Sequence, residues 1–238
     1  MKQISQKYFY DSDFLDPKIP NGEKFIPKTL EKELPILILD NLLSPKTCDK
    51  MVAKLRASIG GKVEIDDEQK LNTNIRDTFF LNITPGDHQI IKSTVENTRP
   101  QIEKYFDAKL EESEGLQILG YGEGGKYQLH SDSCNPFFDD KGTFDHWELT
   151  RGNRQISLIL FLSDSVSVIK YDNEFVGGTV SFDYMVNGQG KCLVVQPKKG
   201  TLVAFPSNPY FSHTVHEVYE GFRVSVVEWY KAKIKIGK

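Results

Sequence analysis

Apolar and polar positions follow two different periods along the chain, and the change falls near Gly115. Before it, the apolar run 35–40 predicts a buried strand. A helix is expected to begin just afterwards, with Ser44 as its N-cap and Pro45 at its first position. One face of this helix is apolar and carries Cys48, Met51 and Leu55.

A second helix is predicted over 87–106, where apolar residues recur at helical spacings. These residues are Ile90, Ile91, Val95 and Ile102. Pro100 lies inside the same stretch and is expected to kink or divide the helix, because proline removes a backbone hydrogen bond.

After Gly115 the chain consists of short apolar or alternating runs separated by turn residues, which is typical of β-strands. Eight such runs predict a sandwich or a barrel. They are LQILGY, KYQLHSD, RQISLILFL, GTVSFDY, KCLVVQP, GTLVAFP, HTVHEV and FRVSVVEWY. The one long gap, 133–153, is expected to be a lid, a binding loop or a mobile segment.

Length and composition fit one domain over 34–232, preceded by a polar N-terminal extension over 1–33. The chain is 39% hydrophobic and 26% charged, which is ordinary for a protein with a packed core. Its net charge of -3 gives no general attraction to phosphate backbones or anionic lipids. No window approaches the roughly 18 apolar residues of a membrane span. We therefore expect neither a nucleic-acid partner nor a membrane association.

Cysteine usage indicates a reducing environment. Cys48, Cys134 and Cys192 are odd in number, far apart and without C-x-x-C spacing, so neither a disulfide framework nor a zinc knuckle is predicted. We expect a cytoplasmic location. The oligomeric state is not defined by the sequence.

Metal-binding chemistry is indicated by His130 and Asp132, which lie two residues apart on a predicted strand and so project to one face. With one further imidazole they would form a facial triad, which suits iron(II) and leaves coordination positions open. Among the five histidines, the third ligand is expected to be His213 or His216.

A buried arginine is predicted on the last strand. Arg223, Ser225 and Val227 alternate with apolar residues and face one side. A guanidinium inside the fold is costly unless it is paired, and its planar fork matches a carboxylate. Arg223 is therefore a candidate for binding a dicarboxylate.

The arrangement of these motifs resembles the prolyl 4-hydroxylase-like branch of the 2-oxoglutarate and iron(II) dioxygenases over residues 35–230. The resemblance is carried by YGEGGKYQLHSD, by RQISLILFLSD followed by VGGTVSF, and by GTLVAFPS followed by FSHTVHEVYEGFRVS. It implies a mainly β double-stranded β-helix, or jelly roll, with flanking helices. It also implies iron(II), 2-oxoglutarate and O2 as cofactor and cosubstrates, with ascorbate as a further candidate.

The same resemblance assigns roles to individual residues. It implies His130, Asp132 and His213 as metal ligands, since the family places its distal histidine nine or ten residues before the basic residue. The cosubstrate would contact a set of residues around the barrel: Arg223, Tyr121, Tyr127, Val180 and Ser225. Val180 occupies a position where the family often has threonine, so it would form an apolar wall.

On the substrate side, the resemblance implies a peptide or protein, with a prolyl residue as the target. Arg76, Trp147 and Trp229 are the candidate substrate residues. The aromatic residues of 133–153 either close over the peptide or pack beneath the loop. Three alternatives stay open: a hydroxylase of another residue or a free amino acid, a non-catalytic metal or small-molecule module, and a metal-dependent hydrolase or isomerase.

Overall fold

The structure is a computed structural model that describes residues 36–58, 76–186 and 191–234. The N-terminal extension predicted over 1–33 lies outside the described residues. In the described part of the chain, no helix is both long enough and apolar enough to cross a membrane.

The first strand and helix lie where the sequence predicts them. Strand β1 spans Leu37–Leu39 and helix α1 spans Pro45–Ser58. The Ser44 hydroxyl accepts a hydrogen bond from the Thr47 backbone N–H at 3.1 Å, as an N-cap does. The predicted apolar face, with Cys48, Met51 and Leu55, is buried in the core.

The second helix, α2, spans Pro85–Phe106 and continues through Pro100. The predicted division of the helix at Pro100 is therefore wrong. Buried residues on both sides of the proline hold the helix against the same core, and this packing offsets the lost hydrogen bond. They are Ile91, Val95, Ile102 and Phe106.

The larger sheet has seven strands and supports the helices on one face. Its order is β1-β14-β9-β17-β5-β3, and β4 pairs with the end of β17. The strand bounds are β3 Phe79–Phe80, β4 Ala108–Ser113, β5 Gln117–Tyr121, β9 Ile156–Phe161, β14 Leu202–Pro206 and β17 Arg223–Ile234.

A second sheet of five strands has the order β13-β12-β15-β6-β2. Its strands are β2 Arg76–Asp77, β6 Lys126–His130, β12 Val180–Val186, β13 Cys192–Val195 and β15 His213–Val215. A short 3-10 helix, Pro209–Phe211, leads into β15. A three-stranded sheet completes the fold with β10 Asp164–Val166, β11 Glu174–Gly177 and β16 Val218–Gly221.

Each of the eight predicted runs contains a strand, and the mainly β fold with flanking helices is confirmed. The segment 133–153, which was expected to be a lid, a binding loop or a mobile segment, contains two strands. It forms a hairpin of β7, Cys134–Phe138, and β8, Phe144–Leu149. The turn between them is closed by the Asp139 carboxylate, which accepts hydrogen bonds from the N–H groups of Lys141 and Thr143.

Two apolar layers flank the larger sheet. One lies between the sheet and the helices, and the other lies between the two main sheets. Strand β17 divides them as predicted: Val224 and Val226 face the helices, whereas Arg223 and Ser225 face the interior between the sheets. The candidate site therefore lies in a cavity between the sheets.

Candidate active site

Three potential metal ligands meet at one end of the second sheet. His130 at the end of β6 pairs in register with His213 at the start of β15, and Asp132 follows two residues after His130. One ligand atom from each of His130, Asp132 and His213 lies within 4.8 Å of the others. Two imidazoles and one carboxylate form the ligand set of a facial triad and are a good fit to iron(II).

Backbone carbonyls orient both imidazole rings. The Nδ1 of His130 lies 2.8 Å from the Gln128 carbonyl oxygen, and the Nδ1 of His213 lies 3.0 Å from that of Phe211. When each Nδ1–H donates to its carbonyl, each Nε2 keeps its lone pair for a metal. Burial, and then the neighbouring His213, lowers the pKa of His130 to about 3. His130 is thus neutral, as a ligand must be, at physiological pH.

Asp132 is held as a carboxylate by its surroundings. Burial alone would raise its pKa, but His213 and His130 lower it, and so do hydrogen bonds from Ser157 and Trp229. The net pKa of Asp132 lies below its ordinary value. Ser157 and Trp229 are partners across β9 and β17, so the larger sheet orients a ligand that belongs to the second sheet.

His216, the alternative third ligand, lies apart from this cluster. It is exposed, and its Nε2 lies 2.9 Å from the Ser181 hydroxyl oxygen. Only His213 is brought to His130 and Asp132 within the described ranges.

Arg223 is a buried cation that has no carboxylate partner among the described residues. Its side chain lies at the start of β17 opposite Tyr121, with 1% of the residue exposed. Its Nη1 donates to the Ser225 hydroxyl at 3.0 Å, and its Nε has no hydrogen-bond partner. Burial lowers the pKa of Arg223, although a hydrogen bond with Tyr121 opposes this. An incoming carboxylate would satisfy the open donor.

One cavity of about 280 Å3 connects Arg223 with the metal-ligand cluster. Its walls include most of the predicted site residues: Arg76, Tyr121, Tyr127, His130, Asp132, His213, Arg223, Ser225 and Trp229. Apolar side chains complete the walls between them: Leu119, Leu158, Ile159, Val215 and Val227. Two predicted residues, Val180 and Trp147, do not line the cavity. Val180 is buried in the apolar layer between the sheets, and Trp147 lies on the hairpin opposite Pro136.

Tyr127 and Arg76 form one wall beside the metal ligands. The Tyr127 ring stacks on the His130 ring with centroids 3.5 Å apart. The Arg76 guanidinium lies 4.9 Å from the Tyr127 ring centroid and 5.0 Å from that of Phe80. Tyr127 therefore contacts a potential metal ligand directly, and Arg76 lines the cavity beside it.

Trp229, a candidate substrate residue, lines the cavity and also contacts residues that support the metal-ligand cluster. Besides its hydrogen bond to Asp132, its ring lies 3.8 Å from the Arg154 guanidinium carbon. Arg154 in turn forms a bidentate ion pair with Glu114, with contacts of 2.8 and 2.6 Å. Glu114 thus holds Arg154, Arg154 packs on Trp229, and Trp229 donates to Asp132, so these contacts support Asp132 as a potential metal ligand.

Several of these residues escaped the sequence analysis. Ser157, Arg151 and Arg154 lie just before or within the buried strand β9, where the run RGNRQIS places two arginines ahead of an apolar stretch. A polar residue inside a buried run, such as Ser157, is the signal that points to this face of the sheet.

Gly178 lies directly behind Arg223, and its replacement by alanine is expected to weaken 2-oxoglutarate binding and lower the melting temperature. Its φ is +59°, and a Cβ there would lie 2.6 Å from the Phe175 ring and 3.0 Å from Cδ of Arg223. The strain is on the order of 1–3 kcal/mol. Calorimetry and ligand titration measure both effects. The matched control is Gly142→Ala, where φ is +75° but the space is open. Equal behaviour of the two variants would contradict the role of the contact.

The fold and site together define a class: a jelly-roll protein with a two-histidine, one-carboxylate cluster and a buried arginine that shares its cavity. Residues 116–231 match the family model of the 2OG-Fe(II) oxygenase superfamily. This part of the chain is therefore similar to the domain of that superfamily.

Prolyl hydroxylases are among the proteins that are similar to this chain. A probable prolyl 4-hydroxylase of Arabidopsis thaliana is 23% identical over 154 residues, which are 63% of this chain and 48% of the relative. The chain thus spans about half the length of this curated relative.

Solved prolyl hydroxylases share the fold. A Pseudomonas putida prolyl 4-hydroxylase is 21% identical with a TM-score of 0.55, covering 85% of this chain and 95% of its own. A Trichoplax adhaerens prolyl hydroxylase, solved with a hypoxia-inducible-factor peptide, is 17% identical with a TM-score of 0.60 and covers 85% and 86%. A viral collagen prolyl hydroxylase of Paramecium bursaria Chlorella virus-1 is 16% identical with a TM-score of 0.53 and covers 85% and 97%.

Proposed function

We propose that this protein is a 2-oxoglutarate- and iron(II)-dependent dioxygenase that hydroxylates a prolyl residue in a peptide or protein. One observation carries the proposal: the buried, unneutralised Arg223 shares a cavity with the cluster of His130, Asp132 and His213. Metal-dependent hydrolysis gives such an arginine no task, whereas a dicarboxylate cosubstrate requires it. The prolyl target is supported by the prolyl hydroxylases among the relatives.

His130, Asp132 and His213 would hold the iron, and the fold favours a neutral His130 and an ionised Asp132. When bound, iron(II) supplies the activation of O2 that couples decarboxylation of 2-oxoglutarate to hydroxylation of the substrate. The protein supplies ligand geometry and a cavity with restricted access to water.

Arg223 would bind the distal carboxylate of 2-oxoglutarate through its guanidinium fork, with Ser225 and Tyr121 orienting that fork. Leu119, Ile159 and Val227 line the same cavity and limit the space for water around this ion pair. Exclusion of water strengthens the electrostatic interaction, because the effective dielectric constant is lower than in solution.

Tyr127 would brace the His130 ring by stacking, and Trp229 would orient Asp132 by its hydrogen bond. Arg76, beside Tyr127, is placed to contact the substrate. Val180 and Trp147 act only indirectly in this scheme, because neither lines the cavity.

Two of the three cysteines, Cys48 and Cys192, are free thiols in the described part of the chain, which supports a proposed cytoplasmic location. Ascorbate belongs to the proposal only as a reductant that keeps iron in the ferrous state. It is added to every assay at a fixed concentration, so that the comparison between variants does not depend on it.

The first test is anaerobic addition of iron(II) and 2-oxoglutarate, monitored by the visible charge-transfer absorption of the metal–keto acid chelate. We expect the band in wild type and its loss in Asp132→Ala. Release of succinate, and a mass gain of one oxygen atom on a proline peptide after O2 is admitted, would follow. A folded wild-type protein without the band would overturn the oxygenase proposal. A band and succinate without any oxidised peptide would overturn the prolyl target alone.

A further inference from the structure

Positive charge predominates around the cavity. Its walls carry four arginines, Arg76, Arg151, Arg154 and Arg223, and within the described ranges Asp132 is the only carboxylate among the lining residues. Two of the arginines already have a task. Arg154 is neutralised by Glu114, and Arg223 is assigned to the cosubstrate in the proposed function, on which this inference rests.

Arg76 and Arg151 remain without a counter-charge, because no carboxylate in the described part of the chain forms an ion pair with either. Arg76 is held between the rings of Phe80 and Tyr127, and its Nε is buried without a hydrogen-bond partner. Arg151 is exposed, and its backbone N–H is fixed to the Ser133 carbonyl at 3.0 Å.

The two arginines line the same cavity as Tyr127. The Arg76 guanidinium lies 4.9 Å from the Tyr127 ring centroid. Tyr127 stacks on His130, so this positive region borders the position where a substrate would meet the metal.

Loading the site does not remove the excess charge. Iron(II) and Arg223 on one side, and Asp132 and the two carboxylates of 2-oxoglutarate on the other, cancel in formal charge. The ion pair of Arg154 with Glu114 is neutral as well. Within the part of the chain that the structure describes, the charges of Arg76 and Arg151 beside the cavity therefore stay unneutralised in the loaded enzyme.

We infer that the substrate carries a carboxylate close to the residue that is hydroxylated, and that Arg76 and Arg151 bind this carboxylate. A guanidinium fork makes two parallel hydrogen bonds to a carboxylate, and the unpaired Nε of Arg76 offers one such donor. The carboxylate belongs either to an aspartate or glutamate side chain of the peptide or to its free C-terminus.

The test is equilibrium binding of labelled peptides to the enzyme loaded with iron(II) and 2-oxoglutarate under nitrogen, measured by fluorescence anisotropy. One blocked peptide with a central proline is prepared with flanking glutamate, glutamine or lysine. A fourth peptide has flanking glutamine and a free carboxylate directly after the proline. We expect roughly tenfold tighter binding of a carboxylate peptide than of the glutamine peptide, and weaker binding of the lysine peptide. The glutamate and free-carboxylate peptides distinguish the two sources.

Variants of Arg76 and Arg151 test which residues cause the preference for a carboxylate peptide. Arg151→Gln is expected to reduce it severalfold, Arg151→Lys to keep most of it, and Arg76→Gln with Arg151→Gln to remove it. Because Arg151 is exposed, its replacement leaves the fold intact. The matched control is Lys50→Gln, which removes one exposed charge on α1 outside the cavity and should leave the preference unchanged. Added salt should reduce the preference in wild type.

Equal binding of the glutamate, free-carboxylate and glutamine peptides, binding of none of them, or a preference that survives the double replacement would each overturn the inference. The metal–keto acid absorption band is recorded on the same samples. If the band is present and the peptides do not discriminate, the charge inference fails and the proposed function stands. If the band is absent, the proposed function itself fails.

Discussion

Replacing Arg223 by methionine is expected to weaken 2-oxoglutarate binding at least about a hundredfold without lowering the stability of the ligand-free protein. Removing one partner of a buried charge pair costs roughly 3–5 kcal/mol, and each 1.4 kcal/mol is about tenfold in affinity. In the ligand-free protein, however, Arg223 is buried with an unsatisfied Nε, so its loss removes a desolvation penalty. Titration with 2-oxoglutarate and thermal unfolding measure the two effects separately.

Two control variants separate charge from geometry at Arg223. Arg223→Lys keeps the charge and loses the planar fork, so its affinity should lie between those of wild type and Arg223→Met. Ser225→Ala removes the single hydrogen bond that Nη1 of Arg223 donates to the Ser225 hydroxyl, and it should weaken 2-oxoglutarate binding about tenfold or less. In wild type, 2-oxoglutarate should raise the melting temperature through binding to the native state. The same rise in Arg223→Met would contradict the assignment of Arg223.

The second large effect is expected at His213. His213→Ala should lose iron(II) on desalting and lower turnover at least about a thousandfold, because it leaves only two protein ligands. His216→Ala is the matched control, three residues away on an exposed side chain, and should stay within about threefold of wild type. Metal content after anaerobic loading and succinate release give independent readouts. Loss of metal in His216→Ala, with retention in His213→Ala, would show that His216 is the third ligand and that the assignment of His213 is wrong.

The elements that the sequence predicted well have a strong local signal. The alternation along 222–230 predicted which side of β17 faces the interior, because successive side chains of a strand point to opposite faces. The same rule was applied to His130 and Asp132, and the two do lie together, although β6 ends at His130 and Asp132 follows it. Neither inference required knowledge of the partner strands.

Features that depend on contacts distant in sequence were not predictable in this way. Strands β2 and β3 have only two residues each, and their pairing with β6 and β5 determines their structure. The hairpin of β7 and β8 was missed because Pro136 argues against a strand and the two runs lie in a polar segment.

The contacts of Trp229 in the site also depend on residues distant in sequence, and so they could not be predicted from the sequence. Its position on β17 suggested a substrate contact, but its partners come from separate parts of the chain: Asp132 follows β6, and Arg154 precedes β9. Hydrogen bonds and stacking between such distant segments exist only after the sheets have come together.

Strand β17 sets the distance between Arg223 and the metal-ligand cluster. Arg223 lies at one end of it and Trp229, which holds Asp132, lies six residues further along the same paired strand. A strand paired on both sides cannot stretch or bend to suit its ligand. The separation between Arg223 and the potential metal ligands is therefore fixed. If Arg223 binds the distal carboxylate as proposed, the enzyme is expected to discriminate among keto dicarboxylates by chain length, and to reject those with one methylene fewer or one more.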